Sequence, residues 1–136
     1  MFMLDTDSCI FVMNRRDEAL GRKFVENASQ ICISSITHAE LCFGVAHSAH
    51  IERNAAALDE FCFNLDIQSY PVDAGAYYGR IRHALTAQGS LIGANDLLIA
   101  SHALSLGAIL VTGNEREFCR VPDLKFENWL QLARDD

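Results

Sequence analysis

Residues 94–112 read ANDLLIASHALSLGAILVT. The part from 94 to 107 has the pattern of a helix closed by Gly107, since glycine readily takes the left-handed conformation that ends helices. AILVT then reads as a short buried strand. The same unit recurs on both sides. MFML (1–4) and ICIS (31–34) read as buried strands, and DIQSYPV (66–72) as a third, with Pro71 near its end. Helical patterns fill 8–14, 17–28, 36–46, 50–65 and 74–89. In the fourth of these, Ile51, Ala55, Leu58 and Cys62 share one face. NEREFCRV (114–121) reads as a short helical turn and KFENW (125–129) as a last strand. Short apolar strands alternating with helices predict an α/β fold around a mainly parallel sheet. The expected organisation is a single domain over 1–136, without repeats or linkers.

Half of the 136 residues are hydrophobic, enough for a core that needs no disulfide or structural metal. No apolar run is long enough to span a membrane, and none is expected to do so. No secretory signal is expected, because the apolar start lacks a basic segment and meets Asp5 at once. The five cysteines form no CxxC pair and read as reduced, buried thiols of a cytoplasmic protein. His and Cys spacings argue against zinc. A net charge of −7 argues against broad electrostatic binding to nucleic acid or anionic lipid, unless a metal offsets the charge locally.

In open parallel sheets, sites lie beyond the carboxyl ends of the strands. Asp5 follows the first strand and Asn114 the fourth, so both belong to that edge. Each polar candidate also has a structural reading. Asp5 and Asp7 suit a turn and a cap. Thr37 with Glu40, and Asn114 with Glu117, have capping-box spacing. Asn95 and Asp96 suit a helix start. Taken together, acids at several helix starts converge on one edge. Convergent carboxylates repel unless a cation lies between them. Mg²⁺ or Mn²⁺ fits an all-oxygen set, and could activate water and stabilise charge on a phosphoryl oxygen. DTD at 5–7 also suggests an aspartyl-phosphate enzyme. That reading fails on Cys9, where Thr or Val is wanted, and on the position of Lys125.

MLDTDSCIF, SSITHAELCFG, GANDLLIASHALSLGAILVTGNEREFCRV and the closing ENW resemble the VapC-type toxins of the PIN-domain ribonuclease family. The resemblance spans nearly the whole chain and implies an α/β/α sandwich. It also implies RNA cleavage with Mg²⁺ or Mn²⁺ held by acids, and inhibition by a small antitoxin encoded alongside. It assigns Asp5, Glu40 and Asp96 as the first three family acids. The fourth position reads Asn114, a departure from the pattern. Glu117 resembles the acid used there in the enteric branch, and whether Asn114 or Glu117 completes the metal site stays open. Thr6, Asp7 and Thr112 are accessory candidates, Thr112 as a holder of a metal-linked water.

Arg80, Arg82, Arg116 and Arg120 are candidates for RNA phosphates, with a solvated helix face as the alternative. Tyr77 and Tyr78 could stack on bases, although their spacing suits a half-buried helix, and His102 reads as a helix-face residue. The expectation is therefore the toxin of a type II toxin–antitoxin pair. It would be a metal-dependent endoribonuclease acting on RNA, with tRNA, and the initiator tRNA in particular, implied by the resemblance. The implied partners are a VapB-like antitoxin and a second copy of the chain, with DNA reached only through the antitoxin and no membrane. The alternative is a catalytically weak PIN-like module that binds RNA or antitoxin.

Overall fold

The computed structural model describes residues 1–130, so the end of the expected 1–136 domain lies outside the described residues. Five strands form one sheet: β1 (Phe2–Leu4), β2 (Ile31–Ser34), β3 (Asp66–Gln68), β4 (Ile109–Val111) and β5 (Phe126–Glu127). Their order is β3-β2-β1-β4-β5, and every pairing is parallel. Seven helices surround it among the described residues: α1 (Thr6–Met13), α2 (Glu18–Glu26), α3 (Ser35–Ala46), α4 (Ile51–Cys62), α5 (Ala74–Ala87), α6 (Ala94–Leu106) and α7 (Glu115–Phe118).

Strand side chains alternate between faces, and here both faces are covered. Met3, Cys32 and Leu110 point into a core with Leu85, Leu97, Ile99 and Phe118. Leu4, Ile31, Ile33 and Val111 point into a second core with Leu20, Leu41, Leu58 and Trp129. A sheet buried on both sides needs apolar residues in succession, which explains why the strands read as unbroken apolar runs. The result is an α/β/α sandwich. No helix among the described residues is long and apolar enough to cross a membrane.

Gly107 ends α6 at φ +64°, and β4 begins two residues later. Elsewhere the boundaries move. α1 starts at Thr6 rather than Ser8, with Asp5 as its cap. β3 stops at Gln68. The expected Thr37–Glu40 capping box is overturned: Ser34 caps α3 by accepting from the Ile36 N–H, which leaves Glu40 on the body of the helix. On α4, Leu58 is buried but Ile51 is 53% exposed, because the first turn of the helix stands clear of the core that Leu58, Phe61 and Cys62 pack against. All five cysteines are free. Cys9 and Cys32 are buried as expected, whereas Cys42 and Cys119 are exposed. His102 is fully buried and bonds through Nδ1 to Ser34 Oγ at 2.8 Å.

Candidate active site

Asp5 stands at the carboxyl end of β1, where the chain turns into α1. It is only 5% exposed. Its Oδ1 accepts from the Ser8 N–H at 2.9 Å, and its Oδ2 accepts from Thr112 Oγ1 at 2.6 Å. Burial pushes the Asp5 carboxyl above its usual range, while these two hydrogen bonds and the Ser8 hydroxyl pull it back. Thr112 follows β4 and is fully buried. Its hydroxyl accepts from the Asn114 N–H at 2.9 Å as well as donating to Asp5, so it orients the carboxylate rather than facing water. Asp7 is exposed one turn-step along α1 and adds negative charge near Asp5.

Glu40 reaches the same edge from α3. Its Oε1 accepts from the Thr6 hydroxyl and its Oε2 from Asn95 Nδ2 at 3.2 Å. These contacts tie α1 and α6 to α3 through one carboxylate. Asp96 lies in the first turn of α6 and meets Glu117 of α7 directly. Burial raises the Asp96 carboxyl most, and Glu117, Asp5 and Glu40 add to it, so it is pushed up to about 8. Glu117 is held below its usual range, first by the Asp96 contact. Of the two, Asp96 is therefore the carboxyl that is harder to ionise and Glu117 the one that ionises more readily.

Asn114 caps α7 by accepting from the Glu117 N–H at 3.4 Å, and its amide donates to Glu117 Oε2. Asn114 thus aims Glu117, and Glu117 is the carboxylate that faces Asp96. Glu115 is exposed and accepts from Asn128 instead.

The four arginines separate. Arg120 sits close enough to Glu117 for its charge to be felt, and its Nη1 donates to the Leu91 carbonyl at 3.4 Å. Arg116 is exposed on α7. Arg82 donates to the Tyr78 hydroxyl at 2.8 Å. Arg80 lies over the Tyr77 ring and lines a hollow with Leu104 and Pro122. Leu104 is eight residues along α6 from Asp96, about 12 Å of helix, so Arg80 is not brought to the acids.

Sequence reasoning passed over Ser8 and Gly93 and saw Asn95 only as a helix start. Ser8 could have been found from its place three residues after Asp5, the usual reach of a cap. Gly93 left no signal beyond its place before the helix.

Among the described residues, no group of three or more His, Cys, Asp or Glu side chains is already gathered as a metal site. The donor chemistry nevertheless fits a hard cation. Mg²⁺ commonly takes only one or two carboxylates and keeps its waters. Asp96 and Glu117 are two carboxyls in direct contact, with Asp5 and Glu40 near enough for their charge to be felt at Asp96. A divalent cation satisfies such a set better than a proton does.

The PIN domain family model matches residues 2–124. The chain is 46% identical over 129 residues to Ribonuclease VapC2 of Haemophilus influenzae, covering 95% of this chain and 98% of that one. It is 41% identical over 128 residues to the tRNA(fMet)-specific endonuclease VapC of Salmonella typhimurium, covering 94% and 97%. Among solved structures, VapBC2 from Rickettsia felis bound to a promoter DNA fragment superposes with a TM-score of 0.89 at 42% identity, covering 94% of this chain and 98% of that one. DNA-bound VapBC from Salmonella typhimurium gives 0.90 at 41% identity, covering 94% and 97%. With the sheet order, the two-sided core and the acids at the strand ends, this chain belongs to the PIN domain family and, within it, to the VapC ribonucleases.

Proposed function

We propose that this chain is the toxin of a type II toxin–antitoxin pair, an endoribonuclease that cleaves RNA with Mg²⁺ or Mn²⁺. The observation that carries the reading is the contact between Asp96 and Glu117 beside buried Asp5. Carboxylates brought this close repel, and a cation between them relieves the repulsion. Asp96 and Glu117 would hold it, with Asp5 alongside, fixed by Thr112 and Ser8. When bound, the ion acidifies a water and offsets charge on a phosphoryl oxygen. The residues do the rest. Thr112 fixes the direction of the Asp5 carboxylate, Asn114 and Gly93 fix Glu117, and Glu40 can accept a proton from an attacking water. Water oxygen bonds to phosphorus, the P–O3′ bond breaks, and the products carry a 5′-phosphate and a 3′-hydroxyl.

The endonuclease from Salmonella supports tRNA, the initiator tRNA first, as the substrate. The VapBC complexes support a VapB-like antitoxin as partner, and on this reading the chain reaches DNA only through that antitoxin. We further propose that the chain pairs with itself and acts in the cytoplasm, where its substrate is. The test is cleavage of end-labelled total tRNA with Mg²⁺, with and without EDTA. Cleavage is expected to stop with EDTA and in Asp5→Asn or Asp96→Asn. A folded Asp5→Asn protein with full activity would reject the mechanism. RNA binding without cleavage under every condition would favour the weak-module alternative that Asn114 raises.

A further inference from the structure

Gly93 precedes α6, between the loop that leaves α5 and the turn that carries Asp96. Its backbone N–H donates to Glu117 Oε1 at 3.0 Å. A Cβ on this residue would stand 3.2 Å from Asp96 Oδ2 and 3.9 Å from Glu117 Oε1. Its φ is −56°, which any residue can adopt, so glycine is not needed here for backbone conformation. A Cβ would crowd Asp96 instead, whose carboxyl would have to give way by a few tenths of an ångström. The same loop is gripped from the other side: Arg120 donates to the carbonyls of Ser90 and Leu91 at 3.5 and 3.4 Å. Glu117 is on α7 and Arg120 lies just past its end, so this short stretch of chain holds the loop through Arg120 and is held by it through Glu117.

We infer that the 90–93 loop is a positioning device for the cation site, with Gly93 setting the distance between Asp96 and Glu117. It accounts for the departure at position 114. Glu117 stands three residues later on a single helical turn, and it reaches Asp96 because the Gly93 N–H draws it in and nothing at Cβ keeps the two apart. Gly93 and Arg120 touch no substrate in this scheme; they act through Glu117 and Asp96.

The inference rests on the cation-holding reading, so the experiment measures that separately. Mn²⁺ alone is titrated calorimetrically into wild type, Asp5→Asn, Gly93→Ala, Gly93→Pro and Arg120→Ala, with metal-free melting temperatures measured in parallel. Gly93→Ala adds only the Cβ, and Gly93→Pro also deletes the N–H at a φ that proline accepts. Partners behind metal ligands typically carry 10- to 100-fold in metal affinity. Gly93→Ala is therefore expected to weaken Mn²⁺ about tenfold and Gly93→Pro more, with melting temperatures near that of wild type. Arg120→Ala adds no bulk beside the acids and removes a positive charge that opposes the cation, so the weakening of Mn²⁺ expected of it reports the loosened loop alone. Wild-type affinity in Gly93→Pro and Arg120→Ala, with binding lost in Asp5→Asn, would overturn the inference and leave the cation site standing. No Mn²⁺ binding by wild type would overturn both.

Discussion

Thr112 does its work through one hydroxyl, which donates to Asp5 and accepts from the Asn114 N–H. Its O–H stabilises the charged form of Asp5, whose carboxyl burial has already raised. Thr112→Val keeps the shape and removes the bond, so the Asp5 carboxyl rises further. A protonated Asp5 does not help hold a cation. Cleavage and Mn²⁺ binding should therefore fail at a higher pH than in wild type, with the acidic limb moved up by about one to two pH units, since a hydrogen bond to a charged group contributes roughly 1.5–3 kcal/mol. The alkaline side should not move. Thr112→Ser restores the hydroxyl and should restore the profile. An unmoved acidic limb in Thr112→Val would mean that Asp5 does not depend on this bond. The place of Asp5 at the end of β1 was legible in the sequence, because it closes a buried apolar run. The role of Thr112 was not, because its partner lies 107 residues away.

Helix α7 puts Glu115 and Glu117 on different sides of a single turn. Glu117 faces Asp96, and Glu115 faces Asn128. Glu117→Gln should cut Mn²⁺ affinity by about tenfold or more, and Glu115→Gln should change it little. The reverse order would mean that the wrong acid has been assigned. α3 offers a different test. Thr37 is fully buried on this helix, and its hydroxyl has no partner among the described residues. An unsatisfied buried hydroxyl costs about 1–3 kcal/mol. Thr37→Val should raise stability by about 1 kcal/mol in urea unfolding; a loss of that size would point to a bond the hydroxyl makes. The same helix shows where reading by pattern stops. T-x-x-E has the spacing of a capping box, but Ser34 lies nearer the strand end and takes the cap. Neighbouring hydroxyls compete for that role, and only the end of β2 decides between them. Cys42 and Cys119 were misjudged for a related reason, since apolar neighbours in a helical sequence point to other faces. The α6–β4 unit was readable because Gly107 marks its boundary locally. Gly93 was not, because its importance is a missing atom opposite side chains from elsewhere in the chain.

The whole molecule carries a charge of −7 and collects several acids on one edge of its sheet, so an inhibitor that places a cation there gains most. Next to Glu40 runs a hollow of about 270 Å³ between α1, α3 and α4, lined by Ile10, Met13, Leu41, Val45 and Ala57. An antitoxin segment could lay apolar side chains in it and extend an Arg or Lys towards the carboxylates. Gly44 lies on the wall of this hollow, and a Cβ there would meet nothing within 4 Å. Replacing glycine inside a helix also favours the helix by up to about 1 kcal/mol. Gly44→Tyr should therefore fold at least as well as wild type, fill the hollow and leave the carboxylates in place. The expected outcome is a toxin that cleaves tRNA at the wild-type rate but resists its antitoxin. In cells, Gly44→Tyr should arrest growth whether or not the neighbouring small reading frame is expressed, whereas wild type should be relieved by it. In vitro, the purified partner should inhibit Gly44→Tyr at least tenfold less well than wild type. Equal inhibition of both proteins would move the antitoxin off this surface, and lost cleavage by Gly44→Tyr alone would mean that the hollow belongs to the RNA.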